Sequence, residues 1–166
     1  MTSVASHNEG WRNRGTALAR IVFVAALAAA AAACTGGILL LWHIKTAPVR
    51  RGALHAKRAA QFHERDDQAR AYAEYSAAIG LDPGNAAYYL ERANVSLGLY
   101  RPDLALRDAK KAAVLAPSNS YAHTLRGVAL RQLGELSNSL QWLDQAVSLG
   151  PNDPYALRSR AVTLSE

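Results

Sequence analysis

Side chains that could do chemistry are few in this 166-residue chain, and their spacing supports no catalytic site. Among the five histidines, His55 and His63 could share one face of a helix, but no third metal ligand lies near them in the sequence. The single cysteine, Cys34, lies in an apolar segment away from water, which disfavours a reactive thiolate. We therefore expect no catalytic residue, no metal, no cofactor and no small-molecule substrate, and a protein that is not an enzyme.

The positive charge of the chain, +6 in total, is concentrated in two short blocks. Residues 1–20 carry a net charge of +2 and residues 45–58 carry +5, whereas residues 59–166 carry −1. A nucleic-acid-binding protein spreads Lys and Arg over a binding face, so we expect no nucleic-acid partner. Basic blocks on either side of an apolar segment are typical of a membrane protein, with the lipid bilayer as a partner.

The apolar segment covers residues 21–44 and contains no Asp, Glu, Lys or Arg in its 24 residues. As a helix it would be about 36 Å long, which exceeds the ~30 Å hydrocarbon core of a bilayer. Trp42 lies at its end, where an indole favours the membrane interface. We expect one transmembrane helix over 21–44, between a basic N-terminal tail over 1–20 and a basic linker over 45–51.

Small residues recur at every fourth position of this segment. Such a pattern lets two helix backbones approach closely in lipid, so it predicts a packing face against a larger membrane protein or a second copy. The alternative is that alanine is simply abundant in this chain. The face consists of Ala28, Ala29, Ala32, Ala33, Gly36 and Gly37.

Two other interpretations of the segment stay open. The run that ends in Ala33-Cys34 resembles a loose lipobox, which would make Cys34 the lipidated residue of an exported lipoprotein. A signal peptide could instead be cleaved within 28–33.

The side of the membrane is open as well. Three basic residues precede the segment and five follow it, which places the C-terminal part in the cytoplasm. A short tail before an early apolar segment instead favours export to the periplasm.

Three prolines, Pro83, Pro117 and Pro151, are spaced by 34 residues. Each lies in a turn-rich tetrad and would end a helix, because proline cannot continue one. Two residues after each proline comes a side chain able to cap the next helix: Asn85, Asn119 and Asp153. Small residues share the same register, where antiparallel helices would touch: Ala59, Ala93 and Gly127, then Ala71, Ala105 and Ser139.

These 34-residue helix–turn–helix units resemble the tetratricopeptide repeat (TPR) family. The resemblance implies an all-α chain, in which an N-terminal transmembrane helix is followed by an α-solenoid of three TPR-like helix pairs and a capping helix. The repeats are expected over 52–85, 86–119 and 120–153, and the capping helix over 154–166. In the last helix we expect Leu157, Ala161 and Leu164 to face inward. If the chain instead stops within a fourth repeat, Leu157 and Leu164 would form an exposed apolar edge.

In the TPR family the first helices of the pairs line a concave groove that binds a peptide or a helix. The resemblance implies a partner-binding groove here, with tyrosines, an amide and cations suited to peptide contacts. Its residues would be Leu90, Asn94, Leu97, Tyr121, Thr124, Val128, Arg131, Tyr155 and Arg158.

Some members of the family clamp the C-terminal carboxylate of a chaperone with Lys, Asn and Arg. The corresponding positions here hold Ala56, Ala60, Glu91, Tyr121 and Leu125. The clamp is absent, which argues against a chaperone-tail adaptor and against a strongly acidic ligand. An arginine also recurs in the repeats, and we expect its stem to pack on a helix while its head group reaches solvent or an acidic residue. The positions are Arg58, Arg92, Arg126 and Arg160.

The anchor and the repeats together predict a membrane-anchored protein–protein interaction module. It would be an accessory subunit, or an assembly or scaffold factor, of a membrane protein complex. The Ala- and Arg-rich usage suggests a bacterium, hence a single-pass protein of the inner membrane. The alternative is an exported TPR lipoprotein or a signal-peptide-processed periplasmic adaptor.

Overall fold

Residues 46–166 are described by a computed structural model of the chain, and every regular element among them is an α-helix. Helix α1 covers 46–64 of these residues. Six helices follow: α2 Gln68–Leu81, α3 Ala86–Gly98, α4 Pro102–Leu115, α5 Ser120–Gln132, α6 Leu136–Leu149 and α7 Pro154–Leu164. Residues Ala47–Glu166 form one compact unit. The predicted all-α arrangement of three helix pairs and a final helix is confirmed for this part of the chain.

The predicted tail over 1–20 and the predicted transmembrane helix over 21–44 lie outside the described residues, and with them the small-residue packing face. Within 46–166, no helix is long and apolar enough to cross a membrane.

The predicted linker is helical where the structure describes it, because residues 46–51 belong to α1. Gly52, directly after them, is buried. A Cβ at this position would lie 3.3 Å from the carbonyl oxygen of Ala78 in α2. The lack of a side chain therefore lets this part of α1 lie close against α2.

Helix ends follow the repeat spacing. Asn85, Asn119 and Asp153 each accept a hydrogen bond from a backbone N–H in the first turn of α3, α5 and α7. Pro102 lies in the first turn of α4, where its missing N–H costs no helical hydrogen bond. The turn inside each pair has a left-handed residue at the same spacing: Asp66, Tyr100 and Gly134.

Small side chains at the helix crossings are buried as predicted. Those with no exposed surface include Ala59, Ala71, Ala93, Ala105 and Ser139. At Gly127 a Cβ would lie 2.5 Å from Cγ of Leu143 and 3.2 Å from the carbonyl oxygen of Ser139. The contact between α5 and α6 therefore excludes even a methyl group at this position.

The last helix presents a different face from the predicted one. Its buried residues are Ala156, Ser159 and Thr163. Leu157 and Leu164 are 43% and 58% exposed, and Ala161 is exposed too, so the inward positions expected for them are wrong. Helix α7 packs against α5 and α6, and small residues three and four positions apart allow that close approach. The leucines instead form the exposed apolar edge that was the alternative expectation.

Candidate functional site

The first helices of the repeats lie side by side, since α3 contacts α5 and α5 contacts α7. We call the outer surface that they share the first-helix face. The structure sorts the residues predicted to line a groove there by their exposure. Tyr155 and Arg158 are exposed, Asn94, Tyr121 and Arg131 are half-buried, and Leu90, Leu97, Thr124 and Val128 are buried.

The four buried residues hold the helices together. Leu90, Leu97 and Val128 are part of the main hydrophobic core. Thr124 has no exposed surface, and its Oγ1 donates a hydrogen bond of 3.0 Å to the carbonyl oxygen of Ser120. These side chains present almost no surface, so the structure assigns them to helix packing instead of partner contact. Partner contact by the other five stays a prediction.

Tyr121 and Tyr155 form an aromatic contact between α5 and α7. Their ring centroids are 5.8 Å apart and their planes are inclined by 51°. Burial raises the pKa of both hydroxyls above the ordinary value, and the charge of Glu91 raises the pKa of Tyr121 further. Both hydroxyls are therefore neutral at physiological pH and can donate hydrogen bonds to a ligand.

Glu91 on α3 is a half-buried carboxylate that makes no hydrogen bond or ion pair with another described residue. Its charge acts on two tyrosines. The pKa of Tyr75 is raised to about 12, first by burial and then by the charges of Glu91 and Glu64. Glu91 also acts on Tyr121, as described above. An unpaired carboxylate near neutral hydroxyls offers acceptors to an ammonium or guanidinium group.

The cations of the first-helix face lie on the later helices. Arg131 of α5 donates from Nη1 to Oε1 of Glu166 at 2.6 Å, and its buried Nε has no hydrogen-bond partner in the described part of the chain. Arg158 of α7 is exposed. The charge on the first-helix face therefore changes sign along the order of its helices, from an acidic group on α3 to basic groups on α5 and α7.

The positions of a carboxylate clamp carry no cation. Ala56 and Ala60 are half-buried on α1, and Leu125 is fully buried in the core. The remaining two positions hold Glu91 and Tyr121. A carboxylate placed here would therefore meet methyl groups and a like charge.

The two histidines that could have shared a metal have separate partners. His55 Nδ1 lies 2.6 Å from Oε2 of Glu74, and His63 Nδ1 lies 2.9 Å from Oε1 of Gln68. Within the described residues, no group of three His, Cys, Asp or Glu side chains could hold a metal ion.

The repeated arginine forms a more specific contact in α3 than its spacing alone predicts, namely an internal ion pair. Arg92 donates from Nε and Nη2 to the two carboxylate oxygens of Asp108, at 2.7 and 2.8 Å. Arg160 donates one hydrogen bond, from Nε to Oδ1 of Asp144, and both of these side chains are exposed. An acidic residue 16 positions from a repeated arginine is the sequence signal that could have predicted both pairs.

Solved TPR domains share this fold. The TPR domain of Arabidopsis OM64 matches with a TM-score of 0.68 at 23% identity, over 72% of this chain and 98% of that chain. The second TPR domain of human RPAP3, solved by NMR in complex with the HSP70 peptide SGPTIEEVD, matches with a TM-score of 0.68 at 25% identity, over 72% and 99%. The described unit therefore has the TPR domain fold.

Two curated relatives come from Drosophila melanogaster, Hsc70-interacting proteins 1 and 2. Each is 35% identical over 79 residues, which are 48% of this chain and 21% of the relative. The matching part thus spans about a fifth of the length of these relatives. No protein-family model matches the sequence.

Proposed function

We propose that this chain is a protein-interaction module whose first-helix face binds a segment of a protein partner. The observation that carries the proposal is the half-buried carboxylate of Glu91, which pairs with no described residue and whose charge raises the pKa of the Tyr75 and Tyr121 hydroxyls. The carboxylate oxygens of Glu91 are not among the buried atoms that lack a partner, so they are accessible and can accept hydrogen bonds from a ligand. The TPR domain fold supports the same conclusion, since a domain of this fold from human RPAP3 was solved with a bound peptide.

The chemistry of the face favours a segment that carries a Lys or Arg side chain. Glu91 would accept a charge-assisted hydrogen bond from it, and the ring of Tyr121, against which Tyr155 packs, would attract the cation. Arg158, which is exposed on α7, suits an acidic group further along the same segment. The partner is therefore expected to present charges of both signs in a fixed order.

An HSP70 peptide is the second candidate ligand, because one is named for the RPAP3 domain and because the fly relatives are called Hsc70-interacting proteins. It is less well supported by the residues. Ala56, Ala60 and Leu125 offer no cation for a carboxylate, and Glu91 would repel it. Fluorescence anisotropy with labelled SGPTIEEVD tests this candidate directly. We expect no saturable binding, and micromolar binding would make the chain a chaperone-tail adaptor.

The module is, in our proposal, held at a membrane by residues 21–44. Their uncharged sequence and basic flanks support this. A tethered module suits an accessory subunit, or an assembly or scaffold factor, of a membrane protein complex in the bacterial inner membrane, with the repeats in the periplasm. The alternative is a lipidated or processed exported protein. Measuring the intact mass of the mature protein distinguishes the two, because the uncut chain has a mass of 17.8 kDa.

Purification of the tagged full chain from its native membranes in mild detergent tests the interaction. Four forms are compared: wild type, Glu91→Gln, Tyr155→Ala and the control Lys111→Ala, which changes an exposed residue of α4. We expect a stoichiometric partner with the wild type and the control, and its loss from the other two. A partner retained equally by all four forms would contradict a binding site on the first-helix face.

A further inference from the structure

The repeated arginine of the first helices has internal acceptors in two of its positions. Arg92 of α3 is bound by Asp108, 16 residues later, and its Nη1 donates to the hydroxyl of Ser76, 16 residues earlier, at 3.0 Å. Arg160 of α7 is bound by Asp144, which is also 16 residues earlier. The second helices on either side of a first helix therefore supply the groups that satisfy this arginine.

Arg126 of α5 has no such acceptor. The corresponding positions, 16 residues later and earlier, hold Trp142 and Lys110. Its Cζ lies 3.4 Å from the centre of the Trp142 ring, and its buried Nε has no hydrogen-bond partner in residues 46–166. Burial lowers the pKa of Arg126. At Arg92 burial also lowers the pKa, but Asp108 more than offsets it, so that pKa is raised. Arg126 stays charged at physiological pH, so this cation is held in place without a counter-ion among the described residues.

The indole that holds Arg126 is itself fixed. The ring of His123 is stacked with that of Trp142, at 5.6 Å between centroids and 5° between planes. His123 is 5% exposed, and its Nε2 donates to the carbonyl oxygen of Pro117 at 3.0 Å. The arginine, the indole and the imidazole thus form a packed assembly, so little side-chain entropy would be lost when a ligand binds there.

An open cavity of about 310 Å³ lies against this assembly. Its polar and aromatic lining comes from α4, α5, α6 and the turn before α6: Lys110, Arg126, Glu135, Asn138, Gln141 and Trp142. Lys110 is exposed and forms no ion pair with a described residue. Glu135, the one acid of the lining, accepts a hydrogen bond of 2.7 Å from Nδ2 of Asn138 and pairs with neither cation. The cavity therefore contains two cations and a single acid that is already hydrogen-bonded.

We propose that this cavity is a second binding site, which takes the carboxylate side chain of an Asp or Glu residue of a protein partner. Arg126 and Lys110 would bind the carboxylate by charge-assisted hydrogen bonds. Leu130 and the Trp142 ring, which also line the cavity, provide apolar surface for the methylene groups behind it, and the cavity has room for more than one small oxyanion. The cavity shares no residue with those placed on the first-helix face, so either site can fail without the other.

The indole N–H of Trp142 reports on the cavity by NMR. The full chain is labelled with ¹⁵N at tryptophan in an uncharged maltoside detergent, and Trp142→Phe identifies its resonance among the three tryptophans. The probe is a capped tetraglutamate peptide at constant ionic strength, with capped tetralysine as the opposite charge. We expect a saturable shift with tetraglutamate only. Loss of one charge-assisted hydrogen bond in Arg126→Gln or Lys110→Gln should raise Kd about tenfold.

Lys111→Gln is the matched control, because Lys111 is the next residue, is also exposed and does not line the cavity. It should bind tetraglutamate as the wild type does. No saturable shift in the wild type, or equal weakening by Lys110→Gln and Lys111→Gln, would overturn the proposal. If Arg126→Gln loses its helical circular dichroism, Lys110→Gln decides the question. Binding of inorganic phosphate as tight as that of tetraglutamate would overturn the assignment to a protein carboxylate.

Discussion

At the scale of single residues, the pair of Arg92 and Asp108 shows how much depends on a charge that is both buried and matched. Asp108 is 2% exposed and receives two hydrogen bonds from Arg92. Asp108→Ala would leave the guanidinium without its counter-ion, so we expect the free energy of unfolding to fall by about 3 kcal/mol. Chemical denaturation followed by circular dichroism measures this. Lys111→Ala, at an exposed position, should change it by less than about 0.5 kcal/mol, and equal effects would contradict a structural role for the pair.

The buried hydroxyl of Tyr75 should make the free energy of unfolding of the repeats fall at alkaline pH. Its pKa is raised from 10.0 to about 12, chiefly by burial. Between these values the unfolded chain releases this proton while the folded chain keeps it. The free energy of unfolding therefore falls as pH rises, by about 1.4 kcal/mol per pH unit for this group. Tyr75→Phe should remove that part of the slope and match the wild type at pH values below 10. Urea unfolding of both forms at several pH values in this range measures how the free energy of unfolding changes with pH. The same slope in the wild type and in Tyr75→Phe would refute the prediction.

Spacing predicts which face of a helix a residue occupies, but not how deeply it is buried. Tyr121 and Thr124 were both predicted to line the groove from the start of α5, yet only Tyr121 keeps accessible surface. Glu91 was named only as a missing clamp residue. Its importance as an acid without a described partner depends on Tyr75 and Tyr121, which are distant from it in the sequence. The repeat pattern does not show that its charge reaches them in the folded chain.

At the scale of helices, two helical glycines should respond oppositely to alanine. A Cβ at Gly127 would meet Leu143 at 2.5 Å, whereas one at Gly80 in α2 would meet nothing within 4 Å. Gly127→Ala should lower the free energy of unfolding by about 1–3 kcal/mol, because the core has no room. Gly80→Ala should raise it by about 0.5 kcal/mol through helix propensity. Thermal or chemical unfolding of both variants checks the signs, and stabilisation by Gly127→Ala would refute the close α5–α6 contact.

Helix caps offer a second contrast between elements. Asn119 accepts a hydrogen bond from the backbone N–H of Ala122 at the start of α5, whereas Glu135, in the same position before α6, makes no capping bond. Asn119→Ala should therefore cost about 1 kcal/mol of the free energy of unfolding. Glu135→Ala should stay within about 0.5 kcal/mol. A similar loss in both variants, measured by denaturant titration, would mean that the cap of α5 does not contribute.

The helices themselves were well predicted, because proline spacing and capping residues are local signals. The errors occur where local signals are weak. Residues 46–51 carry a proline and basic residues that suggested a linker, yet the contact of Gly52 with α2 lets a helix occupy this stretch. Hydrophobicity predicts that the leucines of α7 are buried. The neighbouring helices pack so closely against α7 that the small residues Ala156 and Ser159 are buried instead.

At the scale of the whole molecule, charge separates the chain into two parts with different expected surroundings. Residues 59–166 are nearly neutral overall, and the excess positive charge lies on both sides of residues 21–44. The TPR domain fold accounts for the described part and gives no reason for 24 uncharged residues before it. The membrane anchor proposed for residues 21–44 would account for them, because a spanning helix exposes apolar side chains to lipid and satisfies its own backbone hydrogen bonds.

Charges placed in the apolar segment should therefore release the full chain from membranes. Two lysines, Ala29→Lys and Ala33→Lys, would each cost about 2.5–3.5 kcal/mol near the centre of a spanning helix. We expect the wild type to stay in the membrane pellet after an alkaline carbonate wash and the double variant to appear in the supernatant. Ala5→Lys with Ser6→Lys adds the same charge to the basic tail and should leave the chain in the pellet. A wild type that washes off would contradict anchoring, and a pelleted chain with a mass other than 17.8 kDa would indicate lipidation or cleavage instead of an intact transmembrane helix.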